Sequence, residues 1–209
     1  LGCAANRVDT ERVRAMCRAA GWESTPEPRE ADLLVVMTYG FTRYQEKVSV
    51  QRISELQALK RDSAELVVGG CLPSINANAV TQAHGGFTFG PRTLEQFWRR
   101  LFPGTGADPL MSTVTACNEE PGVALIRVAT GCLDRCTYCA IPFANGRIRS
   151  RSPEDIERDI RAGFDSGYRV FHLVGEDIGA WGGEQGRDLV TLLDHLLGID
   201  RRPVVKLGQ

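Results

Sequence analysis

The stretch Val123-Ala-Leu-Ile-Arg-Val-Ala-Thr130, running into Gly131-Cys132-Leu-Asp-Arg-Cys136-Thr-Tyr138-Cys139, decides how this 209-residue chain is read. An apolar, β-branched run of strand length delivers three cysteines at C-x3-C-x2-C from its carboxyl end. Three thiolates at that spacing suit three corners of a cubane iron–sulfur cluster, with one iron left for a non-protein ligand. A centre that only carries electrons normally has four protein ligands, so the open corner points to chemistry on a molecule that binds there. Structural zinc wants four ligands, usually from paired short-spaced units. Only one tight cysteine cluster is present, and His84, His172 and His195 are scattered, which leaves zinc as the weaker alternative. A disulfide framework fits less well still. Seven cysteines make an odd count at low density, and no secretory segment opens the sequence, so a reducing, cytoplasmic setting is expected.

Downstream, Ser152-Pro153-Glu154 has the signature of a helix start, a capping serine followed by proline at the first helical position. Ile156, Ile160 and Phe164 then recur on one face, with Glu157, Arg158, Asp159 and Arg161 elsewhere, and Gly167 ends the helix. Tyr168 to Val174 reads as a second strand, Asp188 to Leu197 as a second helix buried through Leu189, Leu192, Leu193 and Leu196, and Arg202 to Leu207 as a third strand. Strand, helix, strand, helix, strand is the pattern of a parallel sheet or barrel, in which reactive groups sit on the loops after the strands. Gly175 and Glu176 close the second strand and lie on that rim.

The first hundred residues form a second unit. Ala31 to Met37 and Glu65 to Val68 read as buried parallel strands, Phe87 to Phe89 as a further one, and Thr10 to Ala20, Gln45 to Lys60 and Leu94 to Leu101 as helices. Val50, Ile53, Leu56 and Leu59 form the apolar stripe of the second. Leu1-Gly2-Cys3 reads as the stub of a first strand. Pro103-Gly-Thr-Gly-Ala-Asp-Pro109 is a turn-rich linker. The expected organisation is α/β throughout: a small doubly wound parallel-sheet domain over 1–102, a linker over 103–122, and a β/α barrel part over 123–209. Ligands gather where strand carboxyl ends converge in such a fold. Cys3, Tyr39 and Cys71, far apart in sequence, would then share one rim.

The C-x3-C-x2-C loop with Tyr138 before its last cysteine resembles the radical S-adenosylmethionine (SAM) enzymes. That resemblance implies a [4Fe-4S] cluster on Cys132, Cys136 and Cys139, whose free iron binds SAM, with Tyr138, Gly175 and Glu176 on the cofactor side. Gly2-Cys3-x-x-Asn6-x-x-Asp9, Met37-Thr38-Tyr39 and Gly70-Cys71-Leu72-Pro73, with Ile141-Pro142, Gly146-Arg147, Ser150-Arg151 and Glu176-Asp177-Ile-Gly-Ala-Trp-Gly182, resemble the methylthiotransferases within that superfamily. Members convert a C–H bond into C–S–CH3 on transfer RNA or a ribosomal protein. The resemblance also implies a reducing partner such as flavodoxin or ferredoxin, and an auxiliary cluster on three first-domain cysteines. The middle one is Tyr39 here. Cys3 and Cys71 would then hold an incompletely ligated second cluster, with Tyr39 oxygen as a third donor, or none. Cys17 lies well along a helix and reads as core, and Cys117 reads as a buried thiol.

The formal charge of −1 and pI of about 6.4 exclude a global basic field for nucleic acid. Locally, Arg127, Arg135, Arg147, Arg149 and Arg151 face a single acid, Asp134, which reads as a solvated face or as a phosphate contact. No apolar run is long enough to span a membrane. The sequence starts at Leu1 and stops three strands into a barrel expected to have about twice as many, so a fragment is expected. Two further readings stay open: radical sulfur insertion or another radical reaction on a small metabolite, which Tyr39 favours, and a non-catalytic iron–sulfur or zinc-binding module.

Overall fold

The computed structural model describes residues 2–103, 115–117 and 120–208. In the N-terminal half, α1 (Ala4–Ala19), β1 (Leu33–Thr38), α2 (Arg43–Leu59), β2 (Glu65–Gly70), α3 (Leu72–Ile75), α4 (Ala77–Ala83) and α5 (Leu94–Leu101) follow one another. β1 and β2 pair in parallel from Leu33↔Glu65 to Thr38↔Gly70. They are apolar on both faces because both are covered. Val13, Met16, Phe97 and Trp98 pack from α1 and α5 on one side, and Ile53, Leu56 and Val80 from α2 and α4 on the other. This is the doubly wound arrangement expected.

Several boundaries differ from the sequence reading, each for a local reason. α1 starts six residues before Thr10, with Cys3 as its N-cap, so Gly2 and Cys3 are not strand; Leu1 lies outside the described residues. α2 starts at Arg43 because Thr42 and Gln45 form a capping box, the Gln45 amide donating to the Thr42 hydroxyl at 3.3 Å and the Thr42 amide to Gln45 Oε1 at 3.1 Å. The expected strand at Phe87–Phe89 is reduced to a single bridge between Val68 and Thr88. Residues 104–114, which include most of the expected linker, lie outside the described residues.

The C-terminal half contains β3 (Thr115–Ala116), β4 (Val123–Arg127), β5 (Ala129–Thr130), α6 (Ile141–Asn145), β6 (Arg149–Ser150), α7 (Pro153–Asp165), β7 (Val170–Val174), α8 (Leu189–Leu197) and β8 (Val204–Leu207). The order β3-β4-β7-β8 forms one sheet, with β4, β7 and β8 parallel and β3 antiparallel to β4. β3 falls inside the stretch read as linker. The single strand expected at Val123–Thr130 breaks at Val128, and β5 turns away to pair with β6. α7 starts as read, with the Asp155 amide donating to Ser152 Oγ at 3.1 Å.

β4 explains how the two halves meet. Alternate residues of a strand point to opposite faces. Ala124 and Ile126 face Ile156, Ile160, Phe164, Leu192 and Leu196 of α7 and α8. Val123 and Leu125 face Val8 of α1, joined by Cys117 and Val174. Helix α1 is therefore shared: its Val13 and Met16 belong to the N-terminal core. Arg127, two residues beyond Leu125, falls on the α1 face.

Candidate functional site

Two glycines deliver the cysteine loops. Gly70 ends β2 with φ +97°, and a Cβ there would stand 2.2 Å from the Thr38 carbonyl oxygen. Gly131 follows β5 with φ +89°, and a Cβ there would meet the Arg147 oxygen at 2.5 Å. Only glycine fits either position. Each is followed at once by a cysteine, Cys71 and Cys132. The Cys132 amide donates to the Gly146 carbonyl at 3.2 Å, so the loop after α6 braces the start of the motif. The Cys139 amide closes a turn on the Cys136 carbonyl at 3.1 Å.

Both loops open on one cavity of about 420 Å³. Cys3, Tyr39 and Cys71 line it from the N-terminal half, and Cys132, Cys136, Tyr138, Cys139, Gly175 and Glu176 from the C-terminal half. Residues scattered along most of the sequence are thereby gathered at one place. The in-register parallel pairing of β1 and β2 sets Tyr39 beside Cys71, since each follows the end of its strand. Cys3 joins them because α1 begins there, and Asn6, one turn on, donates from Nδ2 to the Thr38 carbonyl at 2.8 Å. No cysteine is in a disulfide. Cys17 and Cys117 stand apart: Cys17 is half-buried against the α1–α5 core and Cys117 is buried beside β4.

Burial pushes the Cys71 thiol up to about 11, aided by nearby Cys3 and opposed by the Gly40 amide, which donates to its sulfur at 3.1 Å. Burial also raises the Tyr39 phenol, and the charges of Cys3 and Cys71 add to it. Burial and mutual proximity thus hold Tyr39 and Cys71 protonated unless a bound cation takes the place of their protons. Burial raises Cys132 as well, and Asp177 Oδ2, 3.4 Å from its sulfur, contributes in the same direction. The Tyr138 hydroxyl is raised by its hydrogen bond to Cys136. That ring is 85% exposed, and Phe143 nearby in sequence is 74% exposed.

Donor spacing bears on the metal. Among the described residues, the group of three ligand atoms lying within 4.8 Å of one another is Cys132, Asp134 and Asp177, not the three cysteines of the motif. Thiolates on one tetrahedral zinc at ~2.3 Å would sit about 3.8 Å apart. The wider Cys132, Cys136, Cys139 set suits a larger group bound at its corners.

Glu176 is held by three donors. Its Oε1 accepts from Arg127 Nη2 at 2.9 Å and Asn145 Nδ2 at 3.0 Å, and its Oε2 accepts from the Gly131 amide at 2.8 Å. Arg127 Nη1 donates to Asp9 Oδ1 at 2.5 Å. The expectation that Arg127 and Arg151 belong to a solvated or phosphate-facing run is corrected here. Arg127 is 4% exposed, and although burial opposes its charge, Asp9 and Glu176 outweigh that and raise its pKa. Arg151 donates to Asp159 Oδ2 at 2.7 Å. Asp159, read as lying off the buried face of α7, is itself buried by that pair. Arg135, Arg147 and Arg149 are exposed. The signal missed was Arg127 within an uninterrupted apolar run, since a buried charge must be paired.

Residues 1–90 match Uncharacterized protein family UPF0004, and residues 126–204 match the Radical SAM superfamily. The ribosomal protein uS12 methylthiotransferase RimO of Desulfotalea psychrophila is 32% identical over 225 residues, covering 99% of this chain and 51% of the relative. The tRNA-2-methylthio-N(6)-dimethylallyladenosine synthase of Carboxydothermus hydrogenoformans is 32% identical over 198 residues, at 87% and 45% coverage. A probable threonylcarbamoyladenosine tRNA methylthiotransferase of Pyrococcus abyssi is 29% identical, at 99% and 51% coverage. The chain thus spans about half the length of the curated relatives it matches. Among solved structures, the radical S-adenosylmethionine methyltransferase TsrM of Kitasatospora setae shares the fold, with a TM-score of 0.50 at 14% identity over 84% of this chain and 45% of that one.

Proposed function

This chain belongs to the radical SAM methylthiotransferase family, and from that premise we propose that it is the cluster-bearing part of an enzyme that activates a substrate C–H bond for sulfur transfer on tRNA or a protein. The observation that carries this reading is the single cavity onto which Cys132, Cys136 and Cys139 open together with Cys3, Tyr39 and Cys71. The donor set fits the implied groups: three free thiols with spacing too wide for one zinc, and a facing Cys–Tyr–Cys set. Cys132, Cys136 and Cys139 would hold a [4Fe-4S] cluster, which when reduced would supply the one electron needed to split SAM into methionine and a 5′-deoxyadenosyl radical.

The chain's own residues have distinct parts in this proposal. Cys132, Cys136 and Cys139 anchor the cluster. Gly175 and Glu176 line the SAM side. Three of the roughly four acceptor positions of the Glu176 carboxylate are taken by Arg127, Asn145 and Gly131, which leaves about one for the ammonium of SAM. Tyr138 sits at the mouth beside Cys136. Cys3 and Cys71, with Tyr39 oxygen as third donor, form a weaker second cluster site that serves sulfur delivery. A reducing protein such as flavodoxin or ferredoxin donates the electron, in the cytoplasm. No helix among the described residues is long and apolar enough to cross a membrane.

RNA is the substrate class favoured by the rim. Arg135, Arg147 and Arg149 are exposed, none in an ion pair among the described residues, and the exposed rings of Tyr138 and Phe143 stand among them in sequence. Cationic groups interleaved with aromatic faces suit unpaired nucleotides. Anaerobic reconstitution with iron and sulfide, followed by measurement of 5′-deoxyadenosine from SAM, tests the core of the proposal. No product from a protein carrying a full cluster on Cys132, Cys136 and Cys139 would overturn it.

A further inference from the structure

Asp9, Arg127, Glu176 and Gly131 form an unbroken chain of hydrogen bonds that crosses from one half of the molecule to the other. Asp9 lies on α1, the helix that starts immediately after Cys3. Its carboxylate accepts from Arg127 Nη1, whose Nη2 donates to Glu176 Oε1, whose second oxygen accepts from the Gly131 amide. Gly131 immediately precedes Cys132. The Asp9, Arg127 and Glu176 side chains are 6%, 4% and 8% exposed, so water does not substitute for any of these links. Arginine suits the middle position because its planar fork donates in two directions at once, which a lysine ammonium on a flexible stem does not reproduce.

We propose that Asp9 and Arg127 are positioning residues that act through Glu176: they set the Gly131–Cys132 backbone and thereby couple the cysteine site at the start of α1 to the C-x3-C-x2-C loop. The name given to that loop rests on the proposed function, but the coupling is a property of the metal-free chain. Gly131 makes the chain necessary. Its left-handed conformation places the Cys132 amide on the Gly146 carbonyl, and the Glu176 oxygen fixes the peptide on its other side. Without Arg127 between them, Asp9 and Glu176 would be two buried carboxylates facing one another, and the strand end carrying Glu176 would move away from Gly131.

The test reads thiol reactivity in the reduced, metal-free protein, residue by residue, by iodoacetamide alkylation and mass spectrometry. Asp9→Asn keeps the side-chain shape and removes a charge that is not among those acting on the Cys132 thiol, which are Asp177 and Asp134. It should raise the alkylation rate of Cys132 by ~5-fold or more, the lower end of typical coupling between sites, while half-buried Cys17 on the same helix keeps its wild-type rate. Arg127→Lys should act in the same direction. An unchanged Cys132 rate in Asp9→Asn, or an equal rise at Cys17 that reports general loosening, would overturn the coupling. Neither outcome depends on SAM cleavage, so failure of this inference and failure of the proposed function are separate results. In reconstituted protein, the EPR spectrum of the reduced Cys132, Cys136, Cys139 cluster should also change in Asp9→Asn, as a purely structural role for Asp9 would not require.

Discussion

The Gly131 amide and the Glu176 carboxylate, 45 residues apart in sequence, meet at 2.8 Å. The end of β7 is thereby tied to the peptide that leads into Cys132, and an acid that lines the cavity also braces the cysteine loop. Glu176→Ala should therefore affect two measurements together. SAM affinity should fall by about 1.5–3 kcal/mol, the range for a charge-assisted hydrogen bond, and iron retained at the Cys132, Cys136, Cys139 site should fall with it. Equilibrium SAM binding and iron analysis on the same preparation check this; loss of neither would leave Glu176 as an ordinary buried acid.

Arg127 pairs with both Asp9 and Glu176 in the core. Removing one member of a buried ion group leaves uncompensated charge and typically costs about 3–5 kcal/mol. Arg127→Met should destabilise by that order in urea unfolding. The triple variant Asp9→Asn, Arg127→Met, Glu176→Gln should recover much of the loss, because no charge is then left unpaired. Equal stability of the single and triple variants would show that packing, not charge, explains the effect.

Tyr39 shares the cavity wall with Cys3 and Cys71. Two thiolates and a phenol hold a cluster less firmly than three thiolates, since a phenol with a solution pKa of about 10 must lose its proton to ligate and burial here raises that pKa further. Substoichiometric or labile iron is expected at this site, and Tyr39→Cys should raise bound iron toward two clusters per chain. Two robust clusters in the wild type, unchanged by Tyr39→Cys in iron content or Mössbauer spectrum, would contradict the incomplete-site account.

Arg147 and Arg149 flank buried Ile148 on the exposed side of the loop behind Cys132. If the substrate is RNA, changing both to Ala should weaken tRNA binding across sequences and reduce the slope of log affinity against log salt by about 1 for each phosphate no longer neutralised. An unchanged salt slope, with binding of a peptide substrate impaired instead, would move the substrate class to protein.

Much of the site was legible in the sequence because its parts are local. The C-x3-C-x2-C loop, the Ser152 cap and the leucine face of α8 each announce themselves within a short stretch, and the structure places Leu192 and Leu196 in the core as read. The convergence of Tyr39 and Cys71 was also readable, since parallel strands of equal length end on one rim; Cys3 reaches that rim as the N-cap of α1, not at the end of a strand as expected. The α1–β4 contact was not readable. It depends on which face of a fully apolar strand meets which helix, and an uninterrupted run such as Val123–Ile126 carries no alternation to tell. Arg127 was therefore read as one of a run of exposed arginines, and nothing in the sequence linked it to Asp9, 118 positions away. Thr42 and Gln45 did carry a readable capping signature, and it would have placed the start of α2 correctly.

The central claim is that Cys132, Cys136 and Cys139 hold a cluster that cleaves SAM. Single-turnover 5′-deoxyadenosine production by the anaerobically reconstituted, chemically reduced protein tests it most directly, with each of the three cysteines changed in turn to Ala. The account predicts product from the wild type and from Cys17→Ala, and none from Cys132→Ala, Cys136→Ala or Cys139→Ala while each still folds. Undiminished product from any one of those three variants would contradict it.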